Sequence, residues 1–305
     1  MAPPVTQILP FDDAGIAEAA RRIALGEPVA MPTETVYGLA ADATDPAAVA
    51  RIYEAKGRPS FNPLIVHVPD LEAAQQIGDF SKDALALADE HWPGPLTVVV
   101  PARAENGIAG LVTAGLGSIA LRVPAHPAMQ DLLRACRKPL AAPSANASGR
   151  ISPTSAAHVF RSLGGRIGLI IDGGNTSRGI ESTIVAATGG PLRLLRRGPI
   201  DIPDAIDAGG GDIEAPGMMA SHYAPIKPLR LDASTAGPGE ILIGYGLIRG
   251  DLDLGDDPVT AASRLFDLLH RADDSDCDAI AVAPILGDGL AAAIRDRLRR
   301  AATPR

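Results

Sequence analysis

The chain has 305 residues, more than the roughly 250 at which single hydrophobic cores stop growing, so we expect two domains. A formal net charge of −8, with one Trp, four Tyr and five Phe, argues against an extended nucleic-acid-binding surface, which needs a basic face and stacking rings. No segment approaches the ~20 apolar residues of a membrane-spanning helix and no signal-peptide pattern opens the chain, which predicts a cytoplasmic location.

Helical and strand-like patterns alternate over the first 200 residues. Apolar residues recur at helical spacing at Ile16, Ala20 and Ile23, and Gly26 follows as a stop signal. In chain order, we predict helices at 12–25, 46–55, 82–90, 127–136 and 154–162, and strands at 28–31, 64–68, 96–100, 119–123, 139–142, 167–171, 182–185 and 192–195. Strands interleaved with helices indicate an α/β fold, and the consecutive late strands indicate a mixed sheet.

The composition changes after residue 200. Residues 201–227 are rich in Asp, Gly and Pro, including Gly209-Gly210-Gly211, which is typical of a linker. Strands at 240–245 and 279–283 and helices at 259–271 and 290–300 then predict a small second α/β unit. We therefore assign a first domain to residues 1–200, a linker to 201–227 and a second domain to 228–305.

The linker contains a specific segment, residues 216–225, with the pairs Met218-Met219 and His222-Tyr223. A flexible connection does not need such side chains. We therefore predict that this segment packs over the first domain as a lid.

Lys56, Arg58 and Asn62 lie at the end of a helical pattern and in the Gly/Pro-rich loop after it. One interpretation is a phosphate clamp, because Arg can donate paired hydrogen bonds to phosphate oxygens and Lys supplies a point charge. The other is a solvated cation pair favoured by the negative end of the helix. The hydroxyls and apolar strands nearby favour the phosphate clamp.

Single polar residues interrupt or end otherwise apolar strands. Arg122 lies within such a strand, and a buried cation is costly unless a carboxylate or a phosphate meets it. It is therefore either half of a structural ion pair or the anchor of an anionic ligand. Arg196 is a further candidate of this kind. His67 ends a strand without another His or Cys at metal-ligand spacing, so we interpret it as a hydrogen-bonding group.

Polar loops follow several predicted strands, as in Pro143-Ser-Ala-Asn-Ala-Ser-Gly149. Ligands of open α/β sheets bind at such strand-end loops, although Ser and Asn also favour turns and helix caps. No GxxxxGK[ST] sequence occurs, which excludes a Walker-type ATPase. Cys136 and Cys277 lack metal-ligand spacing and are predicted to be free thiols.

Segments distributed along nearly the whole chain match one family pattern in order: PTETVYGLA, KGRPSFNPLIVHV, HWPGPLTVVV, ALRVPAHP, PLAAPSANASGR, ESTIV, LLRRGPI and PGMMASHYAP. The sequence resembles the L-threonylcarbamoyladenylate synthases in their two-domain form. The resemblance implies a YrdC-like first domain, a twisted, mixed, open sheet with helices, followed by a small Rossmann-like α/β C-terminal domain. It also implies a nucleotidyltransferase that converts L-threonine, bicarbonate and ATP into threonylcarbamoyl-AMP and pyrophosphate, the first stage of threonylcarbamoyl modification of a tRNA adenosine.

The resemblance further implies roles for individual residues. Threonine would be held by Thr35, His67, Arg122, Ala142 and Ser182. ATP would be bound by Arg58, Asn62, Ser118, Ser144, Asn146, Ser152, Arg196 and, from the linker, Tyr223. Lys56 and Arg58 would be catalytic, and Lys56 and Asn146 would face phosphate or the carbamoyl group. Mg²⁺ would accompany ATP, with no metal-ligating side chain from the protein.

The implied partners are ATP, L-threonine, bicarbonate and the downstream proteins that transfer the threonylcarbamoyl group to tRNA, with no membrane and with direct tRNA binding left open. Two other functions are considered. An RNA-binding module disagrees with the acidic balance and scarce aromatic residues. A carbamoyl-adenylate-forming enzyme of the hydrogenase-maturation type would carry zinc-binding CxxC pairs and an acylphosphatase-like segment, which this sequence lacks.

Overall fold

The computed structural model describes residues 4–209, 214–216 and 221–303. Within these residues the helices are α1 (Asp13–Ala24), α2 (Pro46–Lys56), α3 (Leu71–Ile77), α4 (Lys82–His91), α5 (Gly110–Thr113), α6 (Pro127–Cys136), α7 (Ala156–Leu163), α8 (Pro258–Asp274) and α9 (Leu290–Ala302). The strands are β1 (Gln7–Pro10), β2 (Val29–Met31), β3 (Gly38–Asp42), β4 (Ile65–His67), β5 (Leu96–Pro101), β6 (Ser118–Arg122), β7 (Leu140–Ala141), β8 (Leu169–Asp172), β9 (Thr183–Ala186), β10 (Arg193–Arg196), β11 (Ile206–Asp207), β12 (Leu229–Arg230), β13 (Glu240–Gly244), β14 (Leu252–Asp253) and β15 (Ala279–Val282).

The first sheet combines β1 to β11 in the order β1-β8-β2-β3-β7-β4-β6-β5-β9-β10-β11. The sheet contains parallel pairs such as β4 with β6 and antiparallel pairs such as β5 with β6, which confirms the predicted mixed α/β fold. Apolar clusters cover both faces. Leu39 and Ala41 pack into one cluster, whereas Ala40, between them, packs into another.

The second sheet, in the order β12-β15-β13-β14, is parallel throughout its described strands. Helices α8 and α9 pack together beside it. Its apolar cluster, around Phe266 and Ile280, also contains Val36, Ile151 and Ile180 of the first domain. The core of the second domain is therefore continuous with loops of the first.

The residues at the two ends of helix α2 explain where it begins and where it ends. The Asp45 side chain accepts a hydrogen bond from the Ala47 amide, and Pro46 occupies the first turn, where its missing N–H is harmless. Gly57 ends the helix with a left-handed φ of 59°, which glycine adopts without strain. The chain therefore turns sharply after Lys56 into the loop that carries Arg58 and Asn62.

The predicted helices and strands are all present, with limits that differ by a few residues. The structure adds β1, β3, α3, α5 and the two-residue strands β11, β12 and β14, which were not predicted. Strand β3 was missed because it is buried on both faces and so lacks the alternation of a half-exposed strand. Both cysteines are free, as predicted.

Part of the predicted linker belongs to the first sheet, because β11 pairs with β10. Gly210-Gly211 and Met218-Met219 lie outside the described residues. The domain limits at 200 and 228 stay predictions. None of the described helices combines the length and the apolar character that a membrane crossing requires.

Candidate active site

Two adjacent parallel strands, β4 and β6, bring His67 and Arg122 to the same edge of the first sheet. They pair in register, with Ile65 opposite Ala120 and His67 opposite Arg122. Because the carboxyl ends of parallel strands meet at one edge, the backbone itself sets the position of both side chains.

A small cavity lies at this edge. Its volume is about 40 Å³, which is space for a few water molecules. Its polar lining comprises Thr33, Thr35, Arg58, His67, Arg122, Ser144, Glu181, Ser182, Arg196, His222 and Tyr223, with Ala142 and Pro216 among the apolar wall. The cavity therefore gathers every residue assigned above to threonine, and Arg58, Ser144, Arg196 and Tyr223 of those assigned to ATP.

Arg122 is held by oxygen atoms around it. Its Nη2 donates to Glu34 Oε1 at 2.6 Å, its Nη1 to Thr35 Oγ1 at 3.0 Å and its Nε to the Gly94 carbonyl at 3.2 Å. Burial alone would raise the pKa of Glu34, but the charge and hydrogen bond of Arg122 outweigh it and lower that pKa. The structural ion pair is therefore present. A guanidinium has five N–H donors, so two remain for a ligand.

His67 is an uncharged imidazole at this site. Burial, reinforced by the neighbouring charge of Arg122, lowers its pKa to about 3. Its Nδ1 is buried without a hydrogen-bond partner. A neutral imidazole has one donor and one acceptor nitrogen, so His67 can complete a hydrogen bond with a polar ligand.

Lys56 and Arg58 are buried, which makes the solvated-pair interpretation wrong: only 2% of Lys56 and 8% of Arg58 are exposed. The Lys56 ammonium donates to the backbone oxygens of Ser144 and Asn146 and so fastens the 143–149 loop to helix α2. Burial, with the nearby charge of Arg58, lowers the pKa of Lys56 well below its usual value. Burial also lowers the pKa of Arg58 to about 10.

Arg196, on β10, contacts Ser182 and the linker together. Its Nη2 and Nε donate to the hydroxyl and carbonyl of Ser182, both at 3.0 Å, and its Nη1 donates to the Pro216 carbonyl at 3.2 Å. The Ser182 hydroxyl lies 2.8 Å from that of Thr97, which fixes it further. Arg58, Arg122 and Arg196 thus place three guanidinium groups around one cavity.

Other predicted residues lie behind the cavity wall. Asn146 donates to the carbonyls of Ala147 and Arg150 and shapes its own loop, while the Ser152 hydroxyl donates to Glu181. Asn62 accepts from Arg58 through its backbone oxygen. Ser118 begins β6, about 13 Å along the strand from Arg122, and does not line the cavity.

Three described linker residues, Pro216, His222 and Tyr223, form part of the cavity wall. The His222 and Tyr223 rings meet edge to face, with centroids 4.1 Å apart, and the Ala224 amide donates to the Gly149 carbonyl at 2.9 Å. Tyr223 has a φ of 64°, which is strained for a residue with a side chain. Its segment is therefore held in place by specific contacts.

Several buried polar atoms around the cavity have no hydrogen-bond partner: His67 Nδ1, Asn146 Oδ1, His222 Nδ1, Tyr223 OH and Arg297 Nη2. Each unpartnered buried group costs about 1–3 kcal/mol. A cluster of them indicates a surface built for a polar ligand.

Comparison with known proteins agrees with this geometry. The family model described as "Telomere recombination" matches residues 21–198, and the model described as "Threonylcarbamoyl-AMP synthase, C-terminal domain" matches residues 201–303. The threonylcarbamoyl-AMP synthase of Bacillus subtilis is 38% identical, over 98% of this chain and 96% of that protein. The chain belongs to the threonylcarbamoyl-AMP synthase family.

A solved structure resembles the chain over nearly its whole length. The crystal structure of Pyrococcus abyssi Sua5 complexed with L-threonine superimposes with a TM-score of 0.89 at 36% identity, over 98% of this chain and 97% of that one. Full-length HypF, bound to phosphate and nucleotide, superimposes with a TM-score of 0.53 at 22% identity over 61% of this chain, which shows a shared fold alone.

Sequence reasoning assigned no role to Glu34, Glu181 or Arg297, and it singled out His222 only as part of the segment predicted to pack over the first domain. Glu34 and Glu181 occur inside the matched segments PTETVYGLA and ESTIV. This position is the sequence signal that could have identified them. Arg297 gave no signal, because it lies in an ordinary amphipathic helix, 116 residues from its partner Glu181.

The described residues at the cavity do not form a set of protein ligands for a metal ion. Among residues 4–209, 214–216 and 221–303, no group of three or more His, Cys, Asp or Glu side chains could hold one. Glu34 and Glu181, the carboxylates at the cavity, are paired with Arg122 and Arg297.

Proposed function

We propose that this chain makes threonylcarbamoyl-AMP and pyrophosphate from L-threonine, bicarbonate and ATP, as a step in threonylcarbamoyl modification of tRNA. The observation that supports this best is one cavity lined by Arg122, His67 and Thr35 together with Arg58 and Arg196. The first three are suited to an amino acid, and the last two to phosphate.

Threonine recognition is proposed for the β4 and β6 edge. The free N–H groups of Arg122 would receive the threonine carboxylate, while neutral His67 and the hydroxyls of Thr35 and Ser182 would meet its amine and hydroxyl. Ala142 supplies a small apolar wall. Buried polar partners left unpaired penalise an analogue without the hydroxyl, which gives selectivity for threonine.

ATP recognition is proposed for the remaining predicted residues. Arg58 and Arg196 would contact the phosphates, with Lys56 adding charge and holding the Ser144 loop in place. The nucleotide would extend toward Asn62, Ser118, Ser144, Asn146 and Ser152, with Tyr223 closing over it.

The reaction needs positioning and charge stabilisation more than a protein nucleophile. The threonine amine attacks the carbon of carbon dioxide and loses a proton to give a carbamate; with bicarbonate, the same attack breaks a C–O bond and the oxygen leaves as water. A carbamate oxygen then attacks the α-phosphorus, and the bond to the leaving pyrophosphate breaks with both electrons. Buried cations such as Lys56 and Arg58 stabilise the charge that develops on the phosphate oxygens.

The proposal includes Mg²⁺ bound with ATP, a cytoplasmic location and protein partners that receive the product. Because Glu34 and Glu181 are already paired with arginines, we expect Mg²⁺ to arrive on the ATP phosphates, as part of the substrate. A tRNA-modification enzyme works beside its tRNA, which supports the predicted cytoplasmic location and hand-over of the product to threonylcarbamoyl-transfer proteins.

We also propose that the linker segment opens to admit substrates. A cavity of about 40 Å³ cannot hold ATP, and Pro216, His222 and Tyr223 form part of its wall. Closure would exclude water, to which both the carbamate and the mixed anhydride are labile.

Pyrophosphate release tests the proposal directly. We expect release from MgATP to require both threonine and bicarbonate, with threonylcarbamoyl-AMP identified by mass spectrometry. Lys56→Ala should lower the rate on the order of 100-fold, because the hydrogen bonds that fasten the Ser144 and Asn146 carbonyls beside the cavity are lost. Lys82→Ala, which removes an exposed lysine, is the matched control and should have no effect. Release independent of threonine, or none from folded protein, would contradict the proposal.

A further inference from the structure

The second domain places a buried cation beside the cavity. Arg297, on helix α9, has no exposed surface, and its helix neighbours Ile294 and Leu298 belong to the apolar core of that domain. Desolvating an unpaired guanidinium costs several kcal/mol, so its contacts must compensate for its position.

Arg297 has two carboxylate partners: its Nη1 donates to Asp296 Oδ2 on the same helix at 3.1 Å, and its other partner belongs to the first domain. Arg297 Nε donates to Glu181 Oε2 at 3.0 Å, and the side chain of Glu181 is only 7% exposed. The other carboxylate oxygen of Glu181 accepts a hydrogen bond from the Ser152 hydroxyl. Glu181 itself lines the cavity. Arg297 therefore acts across the domain boundary on a cavity-lining carboxylate.

Arg297 also contacts the linker segment over the cavity. Its guanidinium carbon lies 5.4 Å from the centroid of the Tyr223 ring, a cation–π distance, and Phe266 of helix α8 stacks on the same ring at 5.6 Å. Arg297 Nη2 and the Tyr223 hydroxyl are both buried without a partner. The second domain thus holds Tyr223 through two of its side chains.

The contacts of Arg297 reduce an electrostatic repulsion at the cavity. The Glu181 carboxylate lies at a cavity proposed to receive a triphosphate, which it would repel. The paired charge of Arg297 offsets that repulsion, while the hydrogen bond fixes the orientation of the carboxylate and of Ser152. The proposed threonine residues His67 and Arg122 are placed independently, by strand register and by Glu34.

We propose that Arg297 is a positioning residue through which the second domain sets the nucleotide side of the active site. It holds Glu181, Ser152 and Tyr223 in the arrangement that accepts ATP, and it leaves the threonine side unaffected. This inference rests on the proposed function, because its readout compares ATP with threonine.

The test compares single and paired substitutions in the full chain. Arg297→Met removes the charge at similar size and should raise the KM for ATP about tenfold, while threonine affinity by calorimetry stays within about twofold. Glu181→Gln combined with Arg297→Met removes both charges and should recover part of the loss, whereas Arg297→Lys should recover less than full activity. Arg299→Met, an exposed position on the same helix, is the matched control.

Three results would contradict a positioning role for Arg297. Unchanged ATP kinetics in Arg297→Met, equal weakening of ATP and threonine, or additive losses in the double variant would overturn it. Should Arg297→Met not fold, the double variant and Arg297→Lys give the same comparison, because neither leaves Glu181 as a lone buried charge. Absence of threonine-dependent pyrophosphate release from the unsubstituted chain would instead overturn the proposed function.

Discussion

At the scale of single residues, the site depends on charges whose positions are fixed before any substrate arrives. Arg122 is already oriented by Glu34, Thr35 and the Gly94 carbonyl. Such preorganisation means that little side-chain freedom is lost when a carboxylate binds. Arg122 is therefore the residue whose replacement should affect threonine most.

Arg122→Lys keeps the charge and removes the planar fork of donors. We expect threonine affinity to fall about 10- to 100-fold, the contribution of one or two hydrogen bonds to a charged group, as measured by isothermal titration calorimetry. Arg134→Lys, at an exposed surface pair with Asp131, should bind threonine normally. An Arg122→Lys protein with unchanged affinity would show that the guanidinium does not bind the substrate.

The Tyr223 hydroxyl gives a prediction that separates function from stability. It is buried without a partner, so Tyr223→Phe should raise the free energy of unfolding of the ligand-free protein by about 1 kcal/mol while weakening ATP binding. Urea denaturation and the KM for ATP measure the two effects. In Tyr37→Phe, by contrast, stability should fall, because that hydroxyl donates to the Gly174 carbonyl at 2.7 Å. Lower stability in Tyr223→Phe would contradict this assignment.

Some site residues could be found from sequence and others could not, for a physical reason. Arg122 and His67 are visible because a polar residue in an apolar strand breaks a short-range pattern. Glu34 and Arg297 become meaningful only when folding joins them to Arg122 and Glu181, 88 and 116 residues away. The spacing of residues along the sequence does not reveal contacts between such distant positions.

At the scale of elements, helices α7 and α8 meet through a pair of histidines. His158 and His270 stack on each other with centroids 3.9 Å apart. Burial, with a smaller effect of His158, lowers the pKa of His270 to about 3, and burial also lowers the pKa of His158. Asp267 lies 3.5 Å from His158, and Arg161 pairs with Asp274 nearby.

Stability should therefore fall in acid. Between about pH 6.5 and pH 3 an unfolded His270 binds a proton that the folded protein excludes, so its contribution is complete above that range and is lost as the pH drops. His270→Gln should reduce the loss in unfolding free energy between about pH 6.5 and 5 by about 2 kcal/mol. Urea denaturation at each pH measures the free energy of unfolding. The difference in this free energy between the two proteins near pH 8 is the internal reference. Parallel pH dependence in both proteins would refute this role of His270.

Elements were predictable where a pattern is local. Helix α2 has an Asp45 cap, Pro46 in its first turn and Gly57 as its stop, and its predicted limits agree with the structure within one residue. Strand β3 and the two-residue strands depend on neighbours elsewhere in the sheet. Their residues alone do not distinguish a buried strand from a loop.

At the scale of the whole molecule, the two domains share one apolar cluster. Val36, Ile151 and Ile180 of the first domain pack with Phe266 and its neighbours of the second. Separating the domains would expose this surface to water. We therefore expect both domains to unfold in one cooperative transition.

Phe266→Ala tests this coupling. The cavity it creates should cost about 3–5 kcal/mol and shift a single calorimetric peak to lower temperature by several degrees. Val259→Ala, at an exposed position on the same helix, should leave the peak in place. Two resolved peaks, with only one displaced by Phe266→Ala, would mean that the domains unfold separately.

The left-handed backbone of Tyr223, with φ of 64°, bears on how long the product stays on the enzyme. That conformation costs about 1–2 kcal/mol, and the contacts of the ring with Arg297 and Phe266 offset it. Under the proposed function, opening of this segment after the reaction would relieve the strain, so loss of the Arg297 or Phe266 contact would shorten the time for which the product is held.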